Sequence, residues 1–182
     1  MSSAVLILLV SAGCYESGRD MKIPGPTRTP PVIRSLGNFE FSSPSITPVG
    51  ELPQRVGGRY NNVAPAIEWG AVPSKAKYLV LVADISKSDL GTDNDRVLWL
   101  VANIDTARQG FAEGQAPPGM VIRAWTGPTT DIGFRDNIRF RMWATTQEVK
   151  SVDATPLQII LGLDKENVGK SEFTVPFSPR AS

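Results

Sequence analysis

Histidine is missing altogether from this 182-residue chain, and cysteine occurs once, at Cys14. The first absence excludes Ser-His-Asp and Cys-His nucleophile activation, and with them the HExxH zinc helix. The second excludes an intrachain disulfide and a cysteine zinc site, so neither a metal ion nor another cofactor is expected. An excess of charge of one sign is also lacking. Nineteen Lys and Arg against eighteen Asp and Glu leave a net charge of +1, with no basic cluster to serve as a footprint for nucleic acid. The apolar run Ala4 to Val10 falls well short of the roughly 20 residues that span a bilayer. Chemistry on Asp, Glu, Lys, Tyr or Ser stays conceivable, but the expectation is a protein that is not an enzyme.

What the chain does have is punctuation. Sixteen glycines and fifteen prolines are spread along it, which favours many short strands and turns over long helices. Tyr78 to Ala83 and Val97 to Ala102 are apolar without alternation and rich in β-branched residues. Such runs read as strands buried on both faces, at the centre of a covered sheet. Phe39 and Phe41 alternate with Glu40 and Ser42, as expected of a half-buried first strand. Ala66 to Trp69 and Met120 to Trp125 read as further short strands, and Gly110 to Gly119 as a loop. Ile138, Phe140, Met142 and Ala144 alternate with Arg139, Arg141 and Trp143, giving a strand with one partly wet face. Pro156 to Leu163 is the one helix expected, with proline in its first turn, and Ser171 to Phe177 is the last strand. The fold class is all-β.

The ending LLVSAGC, with Ser11, Ala12 and Gly13 before Cys14, resembles a bacterial lipobox. The resemblance implies cleavage before Cys14, lipid on its sulfur, and a place at the bacterial cell envelope with contact to the membrane through that lipid alone. One departure is that no Lys or Arg precedes the apolar run. A frayed apolar tail with a chance cysteine is the plainer reading of the same residues. Residues 1–13 are thus expected to be a signal peptide of the lipoprotein type. Residues 14–37 are expected to be the lipidated cysteine and a proline-rich tether, and 38–179 the domain. The Asp89, Asp93 and Asp95 loop does not have calcium-loop spacing.

The string NNVAPAIEWGAVP, the apolar strand ending in Asp84, the string LVANI, the turn Gly127-Pro128 and the string RFRMWA occur in one order. With the ending LQIILGLDKENVGKSEFTVPF, that order resembles the phosphatidylethanolamine-binding protein family, including its bacterial Raf-kinase-inhibitor-like members. The likeness runs from about Phe39 to Phe177. It implies a β-sandwich with a large central sheet, a short C-terminal helix and a small anion pocket at one end of the sheet.

Carried over residue by residue, the resemblance implies a ligand site of Asp84, Ser86, Leu98, Gly127, Pro128 and Asp136. Asp84 keeps the family's first carboxylate, Ser86 replaces its second, and Leu98 and Asp136 stand where or near where the family has histidines. Leucine offers no donor to a phosphate, and aspartate repels one. At about 4 Å two unit charges interact by roughly 4 kcal/mol near a protein surface, so family-type phosphate binding is expected to be lost unless Arg135 or Arg96 offsets it. Asp84 can equally be a strand-end residue that bonds its own backbone. Leu98 and the four tryptophans, Trp69, Trp99, Trp125 and Trp143, read most simply as core. Three functions follow. One is a module for a small polar or cationic ligand. Another is an interaction or inhibitor module with a vestigial pocket, meeting an envelope protein through the Asp-rich loop or the Arg139 and Arg141 face. The third is an acid–base enzyme using Asp84 and Asp136 as a carboxylate pair.

Overall fold

Residues 33, 35–86, 96–150 and 153–181 are described by the structure, a computed structural model. In chain order they form β1 (Leu36–Gly37), β2 (Phe41–Ser42), a 3-10 turn (Gln54–Val56), β3 (Ile67–Trp69), β4 (Tyr78–Ile85) and β5 (Val97–Asp105). Then follow β6 (Gly110–Phe111), β7 (Met120–Arg123), β8 (Asp136–Thr145), α1 (Pro156–Glu166) and β9 (Gly169–Phe177). Cys14, the apolar run before it, most of the tether and the Asp89–Asp95 loop lie outside the described residues. Among the described residues no helix is long and apolar enough to cross a membrane.

The two continuous apolar runs become β4 and β5, and they lie inside a six-stranded antiparallel sheet of order β1-β9-β8-β4-β5-β7. Their lack of alternation has a direct cause, because both faces of that sheet are covered. One face packs against a three-stranded sheet, β2-β3-β6. There Leu79, Leu81, Ala83, Ile138, Phe140 and Met142 meet Phe41, Ile67 and Trp69. The other face takes Ile159, Ile160 and Leu163 of α1 onto Val80, Val82, Leu100 and Trp143. The result is a sandwich with a helix on its outside. Thr155 caps α1 through its hydroxyl while Gln158 bonds back to the Thr155 N–H, and Pro156 sits at the first helical position where its missing N–H costs nothing.

Two expectations need correcting. Gly110–Phe111, read as loop, is a strand because it pairs with Ile67–Glu68 at the edge of the small sheet. A two-residue strand leaves no period to detect. Just before the expected domain start, Leu36 and Gly37 already pair with Glu172 and Ser171. Phe39, expected in a strand, is a buried loop residue whose N–H donates to Ser171 Oγ.

Aromatic rings run through the layer between the sheets. Trp69 meets Phe111, Phe111 meets Trp99, and Trp99 meets Trp125 at 5.5 Å. Trp125 stacks on Phe140, Phe140 stacks on Phe173 at 5.0 Å, and Phe173 meets Phe41. Pairs of this kind add about 0.5–1.5 kcal/mol each beyond their buried area. They fix the spacing of the two sheets at the end where a pocket is expected.

Candidate functional site at the end of the central sheet

Strand parity decides what the candidate residues can do together. Asp84 lies across from Arg139 on β8, while Ile85 lies across from Ile138. Side chains alternate along each strand, so Asp84 projects from the helix-side face with Val80, Val82 and Trp143. Asp136 starts β8 with the parity of Ile138 and Phe140 and therefore belongs to the opposite face, toward the small sheet. It is also three residues from the position paired with Asp84, roughly 10 Å along the strand. Two carboxylates so placed cannot work on one bond, and the pair loses its geometric basis as acid and base.

Asp84 is 0% exposed, and its charge is answered from the same face. Arg139 donates from Nε to Oδ1 at 3.1 Å and from Nη2 to Oδ2 at 2.6 Å, while Arg141 Nη2 reaches Oδ2 at 3.1 Å. A forked contact of this kind is the strong form of an arginine–carboxylate pair. The hydrogen bond to Asp84 raises the pKa of Arg139. Burial lowers that of Arg141 despite the nearby carboxylate. Arg141 lies with its guanidinium 5.0 Å from the Trp143 ring centre, and Lys170 Nζ sits 5.1 Å from the same centre. Trp143 Nε1 donates to Asp164 of α1 at 3.0 Å, and Lys170 reaches Asp164 at 3.2 Å. The arginine face expected to be partly wet is therefore a cross-strand network under and beside α1, with Arg141 itself buried.

Of the other candidates, Leu98, Gly127 and Pro128 are buried, and Ser86 and Asp136 are half-buried. A register shift between Ala83 and Asp84 leaves Leu98 as an extra residue on β5. It packs with Trp99 into the aromatic layer. Ile138 is buried in the same layer. Trp125 lies over this end and donates from Nε1 to the Val56 carbonyl at 3.1 Å. Gly127 and Pro128 are buried against the 3-10 turn. The Gly127 N–H donates to Asn62 Oδ1 at 2.7 Å, and the Gly58 N–H donates to the Pro128 carbonyl at 3.0 Å. A Cβ on Gly127 would stand 1.9 Å from the Val56 carbonyl oxygen, so glycine is required there by close approach of two backbones. Ser86 continues the β4–β8 ladder, donating its N–H to the Asn137 carbonyl at 2.8 Å. Asp136 accepts from the buried Thr130 hydroxyl at 2.6 Å.

Loops around this end are pinned by charge pairs. Arg59 bonds Asp131. Arg55 forks onto Glu113, which also accepts from Ser45 Oγ at 2.5 Å. The hydrogen bond from Arg55 holds the Glu113 carboxyl below its ordinary value of 4.5, against the upward push of burial. A carboxyl with a depressed folded pKa contributes stability above its unfolded pKa and loses it as pH falls through the folded one. Because Arg55 is half exposed, the contribution is that of a screened pair. Glu113→Gln is expected to lose about 0.2–1 kcal/mol at pH 7, with the loss shrinking as pH is lowered through the acid range, as read by urea unfolding across a pH series. Among the described residues no group of three or more His, Cys, Asp or Glu converges as a metal site.

A sequence model described as phosphatidylethanolamine-binding protein matches residues 42–171. No curated protein matches the chain. Two solved structures share the architecture. CT736 from Chlamydia trachomatis, described as a phosphatidylethanolamine-binding protein homologue, is 16% identical with a TM-score of 0.62. The match covers 78% of this chain and 97% of that one. YbcL from E. coli, described as a member of the mammalian family, is 17% identical with a TM-score of 0.64, covering 78% and 99%.

Proposed function

The chain belongs to the phosphatidylethanolamine-binding protein family, and from that premise we propose that it is a non-catalytic binding module in which the family's phosphate pocket has been altered beyond use. The observation that carries this reading is the placement of Asp84. The carboxylate that the family likeness puts in the pocket is fully buried, on the face away from Leu98 and Asp136, and is held by two arginines. A phosphate brought to the other face would meet the leucine side chain of Leu98 and the negative charge of Asp136. The LLVSAGC stretch supports a lipid on Cys14 and a site of action at a bacterial cell envelope.

A protein partner suits this end of the sheet better than a head group. Leu98 and Ile138 are both buried in the layer between the sheets, which supports this reading. Beyond them the tip after Pro128 presents Ile132, 58% exposed, and Phe134, 70% exposed. Two large apolar side chains on one loop tip are a surface that gains from being covered.

Thermal unfolding of the full chain in phosphate and in phosphoethanolamine tests the proposal. A ligand at a hundred times its dissociation constant adds about 2.7 kcal/mol, a rise of roughly 5–11 °C for a chain of this size. No rise is expected with either compound, and a rise of that size would overturn the reading. Photo-cross-linking from position 134 in intact cells should give a discrete adduct. Its absence would remove the partner from the proposal.

A further inference from the structure

Glycine at position 162 has no structural explanation in the helix that carries it. Gly162 is in the interior of α1, where glycine is less favourable than alanine. A Cβ built there meets nothing within 4 Å, and its backbone is ordinary helix, so neither crowding nor an unusual φ demands it. What a side chain at 162 would take up is space. That space belongs to a cavity of about 430 Å³ between α1 and the segment Thr145–Val149, within the roughly 300–1,000 Å³ common for small-ligand sites.

The walls of this cavity are built with some care. Gln158, Gly162 and Glu166 form one i, i+4 row along the helix, and Ile159 and Leu163 give the apolar floor beside it. The opposite wall is held by Asn103 of β5, which adopts a left-handed backbone, φ 57°, in mid-strand. Its Oδ1 accepts from the Val149 N–H at 2.8 Å. Its Nδ2 donates to the Val149 carbonyl at 3.0 Å and to Glu148 Oε1 at 3.3 Å. A non-glycine residue in that conformation is uncommon, and here it fixes the backbone that carries Glu148. Glu148 and Glu166 both line the cavity beside that apolar floor, and among the described residues no lysine or arginine lines it. Among the described residues no hydrogen bond or ion pair engages Glu166.

We propose that this cavity binds a small organic cation, an ammonium group on an apolar body, with the body on Ile159, Leu163 and the bare backbone at Gly162 and the charge between Glu148 and Glu166. The site is on the helix side of the molecule, separate from the candidate site at the sheet end, and the inference does not depend on the function proposed above.

The probe is n-hexylammonium, titrated into the full chain by calorimetry, with hexanoate and hexanol as the matched anion and neutral. Saturable binding of the ammonium alone is expected. Glu166→Gln should weaken it several-fold, and Gly162→Leu, which fills the cavity, should weaken it at least tenfold. Gly162→Ala should raise the melting temperature of the free protein, showing that glycine is not kept for stability. No saturable binding, equal binding of hexanoate or hexanol, or an affinity unchanged in Gly162→Leu would each overturn the assignment. Binding lost equally in Asp136→Asn and unaffected by Glu166→Gln would place the cation at the sheet end and overturn it as well.

Discussion

Asp84→Ala is expected to cost about 3–5 kcal/mol, the range for removing one partner of a buried ion pair. At about 2–4 °C per kcal/mol for this size, the melting temperature should fall by roughly 6–20 °C. The reason is not the lost attraction alone. Arg141 is buried and Arg139 is largely covered, so truncating Asp84 leaves two guanidinium groups on one sheet face without the carboxylate that brings them together. A pocket-lining carboxylate open to water would give within about 0.5 kcal/mol instead. The triple variant Asp84→Leu, Arg139→Met, Arg141→Met separates charge from shape. Replacing a whole buried ionic cluster by apolar side chains is often neutral or stabilising, so it should recover most of the loss. Salt up to about 1 M should change the Asp84→Ala cost little, because buried charges are poorly screened. A small cost for Asp84→Ala, or one that disappears in salt, would return Asp84 to the solvent and reopen the pocket.

The same cluster shows where sequence reasoning stops. Which runs become strands was legible, because β4 and β5 are apolar throughout and an alternating pattern marks β8. The family order of motifs made the sandwich and its outer helix legible too. What the pattern cannot carry is the pairing register. Arg139 and Arg141 share one parity, and Asp84 is the only acidic residue on β4. Whether the three meet depends on Asp84 standing opposite Arg139 and not Ile138, and one residue of slip would put them on different faces. Sequence alone makes Leu98 core only on economy. The structure supplies the physical cause, an extra residue in β5 at the bulge opposite Ala83 and Asp84. Gly127-Pro128 was visible as a turn, but the need for glycine comes from Val56, about seventy residues earlier in the chain, and no local signal reports that contact. The cavity beside Gly162 leaves almost no mark on the sequence pattern. Its one trace in the sequence is a glycine within an otherwise good helical pattern.

Trp125→Ala is the second change expected to be large, at about 3–5 kcal/mol for truncating a buried aromatic. Three contacts go together: the edge-on approach to Trp99, the stack on Phe140, and the indole hydrogen bond to the Val56 carbonyl. The last of these leaves a buried carbonyl without its donor, and an orphaned acceptor adds to the cost of the void itself. Trp125→Phe keeps a ring but not the N–H, and should lose only about 1–2 kcal/mol. Urea unfolding distinguishes the two, with the midpoint moving and the slope unchanged if the native fold is kept. The comparison bears directly on function. In a working recess at this end of the sheet, Trp125 would be a wall, and removing it would alter ligand binding while leaving stability nearly intact. As the plug between Leu98, Phe140 and the 3-10 turn, it should do the reverse. A stability loss with no gain or loss of phosphate binding is what a closed sheet end requires.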